Sequence, residues 1–236
     1  MSRNQQPSSL GLKGIGLLDG LATGRLDALA RECAWRNYAP GQQIISREAD
    51  DRDLYLIVSG RVRVTIYSAG GRQVTFRDLG AGESFGDVAA IDGKRRSADV
   101  VALEASLLAA LPSGAFWRLL REEPLVTERV LQRLANLVRE LSERVIDLST
   151  VGVQNRIHAE VLRLAREAGA AGNTARIDPA PKHADIASRV STYREQVTRE
   201  LSALVKMGIV ERGDHALVIC DLARLARLVE EVRGAA

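Results

Sequence analysis

At Pro112-Ser113 the apolar pattern of this chain changes period, so no single class of secondary structure accommodates both sides. From about Cys33 to Leu111, apolar residues come in short runs bounded by turn residues. Ile44 and Ile45 follow Pro40-Gly41, and Leu54 to Val58 is a buried-strand run ended by Gly60. Val62, Val64 and Ile66 then alternate with Arg61, Arg63 and Thr65, the period of two that half-buries a strand. Gly70-Gly71 closes a hairpin into a strand from Gln73 to Leu79. Val100 to Leu103 and Leu107 to Leu111 complete a set of roughly eight short strands, which predicts a small antiparallel barrel or roll. Ahead of it, residues 1–14 read as a loose tail. Leu21, Leu26, Leu29 and Ala30 mark a short helix with Thr23 at its N-cap.

Beyond Pro112 the spacing is helical. Leu131, Leu134, Val138, Leu141, Val145 and Leu148 fall at intervals of 3, 4, 3, 4 and 3 on a helix running from Pro124 to about Leu148. At 1.5 Å per residue that helix is roughly 35 Å long. So regular a seam suits a partner helix, and a homodimer is expected; the other reading lays the helix on its own sheet. A second amphipathic helix, about Asn155 to Ala168, turns Ile157, Val161, Leu164 and Ala165 inward, and residues 169–182 read as a loop. Short helices near 183–190 and 192–207, a hairpin around Gly213-Asp214 and a helix from Leu222 complete a winged helix-turn-helix pattern. The expected fold class is α+β. A jelly-roll-like β-roll domain occupies 15–123, a dimerisation helix 124–150 and a winged helix-turn-helix 151–236.

The totals exclude several classes. A hydrophobic share of 46% with 27% charged residues is the balance of a soluble globular chain. No apolar run approaches the roughly 20 residues that span a bilayer. Met1 to Leu10 lacks the apolar core of a signal peptide, so a cytoplasmic protein without membrane contact is expected. Cys33 and Cys220 form no CxxC and read as idle thiols, leaving no metal ligand set. No nucleophile–base pair is apparent, so an enzyme is not expected, nor a cofactor beyond a regulatory ligand. A net charge of +3 permits a polyanionic partner without requiring one.

Two segments carry chemistry. In Gly82-Glu83-Ser84-Phe85-Gly86-Asp87-Val88-Ala89 a strand gives way to a helical turn, whose backbone amides make an anion cradle with Gly86 permitting close approach. Arg96-Ser97-Ala98 follows ten residues after Gly86 and adds a guanidinium and a hydroxyl suited to a phosphate. In Ser191-Thr192-Tyr193-Arg194-Glu195-Gln196-Val197-Thr198-Arg199, Thr192 and Glu195 have capping-box spacing. Arg194, Glu195 and Arg199 fall at about 0°, 100° and 140° around the helix that follows, opposite Val197, Leu201 and Leu204. Arginine can read guanine O6 and N7, and glutamate can accept from cytosine N4, although such a face can also be merely solvated.

With Tyr38-Ala39-Pro40-Gly41 and Leu54-Tyr55-Leu56-Ile57-Val58-Ser59-Gly60, these segments resemble the CRP/FNR family of bacterial regulators over nearly the whole chain. The resemblance implies a cyclic-nucleotide ligand, cyclic GMP or cyclic AMP. Arg96 and Ser97 would grip its phosphate with the Val88 and Ala89 amides, Asp87 would take the ribose 2′-hydroxyl, and Val64 and Phe76 would line the pocket. Asp87 stands where the family normally has glutamate, one methylene longer. Leu141 and Ser142 match the position that reaches the base across the dimer. Arg77, on the strand that passes the base, suits guanine and slightly favours cyclic GMP; the other reading pairs it with Asp78. The resemblance assigns Thr192, Tyr193, Arg194, Glu195, Thr198 and Arg199 to double-stranded DNA, with a TGTGA-like half-site repeated as an inverted palindrome and RNA polymerase as a possible partner. Lys182, Arg189, Lys206 and Arg212 would contact phosphates. Two rivals stay open, a regulatory subunit acting on a protein and a family member that binds DNA without ligand.

Overall fold

The computed structural model describes residues 9–67 and 73–233. Their contacts fall into two compact units: described residues of 1–66 and 76–137 in one, and of 67–75 and 138–236 in the other.

The first unit is built on eight antiparallel strands: β1 (Ala34–Tyr38), β2 (Gln43–Ile45), β3 (Leu54–Ser59), β4 (Arg61–Tyr67), β5 (Gln73–Gly80), β6 (Ser84–Phe85), β7 (Asp99–Ala102) and β8 (Ser106–Leu111). They form two four-stranded sheets, ordered β1-β8-β3-β6 and β2-β7-β4-β5. Strand β3 explains the arrangement. Its continuous apolar run is buried on both faces, as one would expect of a strand with apolar layers above and below. Tyr55 and Ile57 face the core between the sheets with Val62, Leu79, Phe85 and Leu108. Leu54 and Leu56 face an outer layer made by α1 (Ser9–Leu12), α2 (Thr23–Glu32), α4 (Ser113–Glu122) and the start of α5 (Pro124–Thr150).

Local expectations fail here in three places. The stretch 9–14 is not a loose tail, because Leu12 is fully buried and Gly11 packs on the Trp35 ring; residues 1–8 lie outside the described residues. Thr23 is the first helical residue of α2, and Ala22 occupies the N-cap without a side-chain bond. On β4 it is Thr65 that is fully buried, while Val64 and Ile66 are half-buried, so the inward set is not Val62, Val64 and Ile66. The expected Gly70-Gly71 turn lies outside the described residues.

Helix α5 packs on the outer layer along one stretch and is open along another. Val126 and Val130 are buried in the outer layer and Leu134 packs against it. Leu131, Val138 and Val145 are 62%, 63% and 64% exposed, and Leu141 and Leu148 are also open.

In the second unit α6 (Val153–Glu167), α7 (His183–Arg189), α8 (Arg194–Lys206) and α9 (Leu222–Arg233) pack around Ile157, Val161, Val197, Leu201, Leu204 and Leu225. Strands β9 (Ala170–Ala171), β10 (Thr174–Ile177), β11 (Val210–Arg212) and β12 (Leu217–Ile219) make a sheet ordered β11-β12-β10-β9. Residues 169–182 are therefore not simply a loop. Their Gly and Pro content hides a four-residue strand, with Ala175 and Ile177 inward and paired to β12.

Candidate functional site

The glycine-rich turn of the first unit leads from β6 into α3 (Asp87–Asp92) through Gly86, which caps the helix at φ +86°. First-turn amides of a helix lack intrahelical acceptors, so this end presents donors. Arg96 lies against it with its side chain 2% exposed. Its Nε and Nη2 bond the two oxygens of Asp51 at 3.1 and 2.7 Å, Nη1 bonds the Gly86 carbonyl at 3.1 Å, and Nη2 also bonds the Asp53 carbonyl at 2.8 Å. The guanidinium carbon stands 5.5 Å from the centroid of the Tyr55 ring, which stacks on Phe85 at 5.0 Å. Burial raises the Asp51 pKa most, but hydrogen bonds from Arg96 and Tyr55 and the charges of Arg96 and Arg36 outweigh it. The carboxyl is held below its ordinary range. Arg96 is thus a strut of the cassette, with one N–H on Nη1 left over for an anion.

Asp87 is nearly buried, and its carboxylate is 3.0 Å from Nε of Arg133 on α5. Arg133 also donates from Nη1 to Ser84 Oγ at 2.7 Å and from Nη2 to the Ser84 carbonyl. Sequence reasoning missed this residue. The available signal was its spacing: Arg133 is seven residues from buried Val126 and three from buried Val130, on the side of α5 that faces the sheets. Val88 is half-buried and its amide lies 3.2 Å from Asp87 Oδ1; Ala89 is buried and Ser97 exposed. Val64, Phe76 and Arg77 are half-buried on β4 and β5. The expected Arg77–Asp78 pairing is not formed. Asp78 is held bidentately across the strands by Arg63, at 2.8 and 3.0 Å, because neighbours on one strand point to opposite faces. Leu141 and Ser142 lie on the exposed part of α5, and Ser142 Oγ donates to the Val138 carbonyl. An arginine donor, the amides at the start of α3, a nearby serine hydroxyl and the Asp87 carboxylate are the chemical groups that a phosphate and a ribose call for.

In the second unit, α7 and α8 meet at a turn in which Ser191 takes φ +56°. The expected capping box is absent. Thr192 is buried, its amide bonded to the Ala187 carbonyl, and exposed Tyr193 occupies the N-cap position, where no side chain caps the helix. Arg194, Glu195, Thr198 and Arg199 are all exposed, while Val197, Leu201 and Leu204 are buried. Thr198 Oγ1 is 2.8 Å from His183 Nδ1. Lys182, Lys206 and Arg212 are exposed; Arg189 is instead turned to Glu160, at 3.6 Å, and is removed from the expected phosphate contacts.

Residues 35–123 match the cyclic nucleotide-binding domain family and residues 155–228 the Crp-like helix-turn-helix domain. Over 94% of its length the chain is 33% identical to the cyclic AMP receptor protein of Thermus thermophilus, covering 98% of that protein. The chain belongs to the CRP/FNR family. A second relative, 23% identical over 90% of this chain and 95% of its own, is the CRP-like cAMP-activated global transcriptional regulator of Mycobacterium tuberculosis. A crp/fnr-family protein from Eubacterium rectale superposes with a TM-score of 0.75 over 92% of this chain and 99% of its own. At 19% identity that likeness speaks to the fold alone. This CRP/FNR member is therefore a CRP-like transcription regulator, with a cyclic-nucleotide-binding domain and a DNA-binding helix-turn-helix. The relatives named above are regulators rather than enzymes. Among the described residues, no helix is long and apolar enough to cross a membrane, and no cluster of three metal-ligating side chains occurs.

Proposed function

We propose that this chain works as a homodimer that reads a TGTGA-like inverted repeat in double-stranded DNA when a cyclic nucleotide fills the first unit. The observation that carries the DNA reading is the split of α8, with Arg194, Glu195, Thr198 and Arg199 on its open face and its apolar residues in the core. The open seam of α5 supports self-association, since a contiguous apolar stripe on a helix is normally covered. In this reading residues up to 123 sense the ligand, 124–150 dimerise and 151–236 bind DNA, with RNA polymerase recruited afterwards in the cytoplasm.

Arg96, Ser97, Gly86 and the Val88 and Ala89 amides hold the phosphate, and Asp87 the ribose. Val64 and Phe76 line the pocket. Leu141 and Ser142 reach the base from the second copy. Cyclic AMP is the first ligand to test, because two relatives carry it in their names. Cyclic GMP is the second reading. Arg77 favours it, being half-buried and released from Asp78, since guanine offers an arginine two acceptors where adenine offers one.

The test is a calorimetric titration of the protein with each nucleotide, repeated with Arg77→Ala, followed by selection of binding sites from random duplex DNA. Ligand binding that raises DNA affinity supports the proposal. Equal DNA affinity with and without either nucleotide would leave the ligand-independent rival, and no sequence preference would leave the regulatory-subunit rival.

A further inference from the structure

Behind the reading face of α8 lies a buried imidazole beside a carboxylate, a pair that DNA contact does not explain. His158 on α6 is 2% exposed, and its Nε2 stands 3.7 Å from Oε2 of Glu200 on α8. That separation is too long for a hydrogen bond, and neither ring nitrogen nor Oε2 has a hydrogen-bond partner among the described residues. Burying an imidazole with neither nitrogen bonded, beside a carboxylate oxygen that is also unbonded, costs stability, so the pair is a poor choice for packing alone.

The other carboxylate oxygen has a partner. Oε1 of Glu200 accepts from Nε2 of Gln196 at 3.2 Å, one helical turn back. On the same amide, Oε1 of Gln196 accepts from the guanidinium of Arg199. A path thus runs from scaffold helix α6 through His158, Glu200 and Gln196 to an exposed arginine on the DNA-facing side.

The chemistry of that path has a direction. An ionised carboxylate only accepts, so it draws the NH₂ end of the Gln196 amide towards itself and leaves the carbonyl end facing Arg199. Were the amide reversed, its NH₂ would meet a guanidinium that has only donors, and the arginine would lose its anchor. Three arginines on elements packed against α6 are engaged away from His158. Arg189 of α7 turns to Glu160, Arg176 of β10 to Asp178, and Arg224 of α9 donates to the Met207 carbonyl.

We propose that Glu200, backed by His158, is a positioning residue for Arg199: it sets the orientation of the Gln196 amide and so fixes the aim of the guanidinium at its base pair. The inference rests on the proposed DNA contact and adds to it a determinant of specificity that never touches DNA.

The experiment uses the full chain, its selected operator and duplexes in which each base pair of one half-site is replaced in turn. Arg199→Ala first identifies the base pair that Arg199 reads. Glu200→Gln, which lets the amide reverse, is then expected to cut discrimination at that base pair by about tenfold, within the range one bidentate arginine contact supplies. Discrimination at the other positions should hold. Gln196→Ala, which leaves the buried pair untouched, should give the same local loss, so misfolding of the Glu200 variant cannot mimic the result. Adding Glu200→Gln to Arg199→Ala should change nothing further at that base pair. Combining Glu200→Gln with Gln196→Glu restores an acceptor beside Arg199 and should recover the preference. An even loss across all positions, or none with either single variant, overturns the positioning role. A wild-type protein without sequence preference would instead remove the DNA reading itself, and this inference with it.

Discussion

Gly86 and Gly93 stand at opposite ends of the six-residue helix α3, both left-handed, and together they separate backbone strain from steric exclusion. At Gly93, φ +68°, an added Cβ meets nothing within 4 Å. Gly93→Ala should therefore cost only the left-handed conformation of an L-residue, about 1–2 kcal/mol. At Gly86, φ +86°, the same Cβ would lie 2.7 Å from Arg96 Nη1 and 2.9 Å from the Asp53 carbonyl oxygen. Neither can yield cheaply. The carbonyl is backbone and already accepts from Arg96, whose side chain is buried and tied to Asp51. Relieving the clash breaks at least one charge-assisted bond in a buried site, about 1.5–3 kcal/mol more, so Gly86→Ala should lose about 2.5–5 kcal/mol. Both tryptophans, Trp35 and Trp117, lie in the first unit, so fluorescence during urea unfolding reports on it. Phosphate binding through the displaced Arg96 should weaken as well, so Gly86→Ala should lower nucleotide affinity at least tenfold while Gly93→Ala keeps it. Equal losses in both variants, within about 0.5 kcal/mol, would refute the view that Gly86 is required by the approach of Arg96.

Three further outcomes are expected. Placing Val138→Glu and Val145→Glu together on the open seam of α5 should give a folded monomer in sedimentation experiments, against the dimer proposed for the wild type. Arg133→Met leaves the nearly buried Asp87 carboxylate without its cation; because the pair is partly open, the loss should be about 1–3 kcal/mol in urea, with weaker nucleotide binding by calorimetry. Burial holds the His158 imidazole below its ordinary pKa despite the opposing pull of Glu200. The unfolded chain therefore binds the proton more readily. Stability of the second unit from this source is full above the ordinary histidine value near 6.5 and falls as pH drops through it towards the lowered value, by up to about 1.4 kcal/mol per pH unit. His183, lowered by burial and by the charges of Arg212 and Arg194, acts in the same sense. His158→Gln should flatten, not abolish, the decline seen in thermal melts between about pH 7 and pH 5.

What the sequence made legible was governed by local period. Strand β3 could be read because an unbroken apolar run too short for a buried helix and ended by Gly60 suits a strand covered on both faces. Helix α8 could be read because Val197, Leu201 and Leu204 recur every three or four residues and leave the charged face to solvent. Where pattern competes with tertiary packing, the local rule fails. Thr192 has the right spacing for a cap, yet it is buried and its amide is bonded back to α7, so Tyr193 takes the cap position instead. Residues 169–182 look like loop by composition, yet Ala175 and Ile177 find partners on β12, 44 and 40 residues along the chain. Partnership between charges is harder still, because one residue can mark the face it occupies but not which opposite charge meets it. The sequence marked Arg96 and Asp87 as candidates for a ligand, but not the bond of Arg96 to Asp51, 45 residues away, nor the pairing of Asp87 with Arg133. This has a consequence for how the ligand site is probed. Arg96 holds Asp51, Gly86 and Asp53 together through four hydrogen bonds, so Arg96→Ala would remove a structural strut along with the proposed ligand contact. Ser97, exposed and outside that network, is where a substitution tests the proposed phosphate contact by itself.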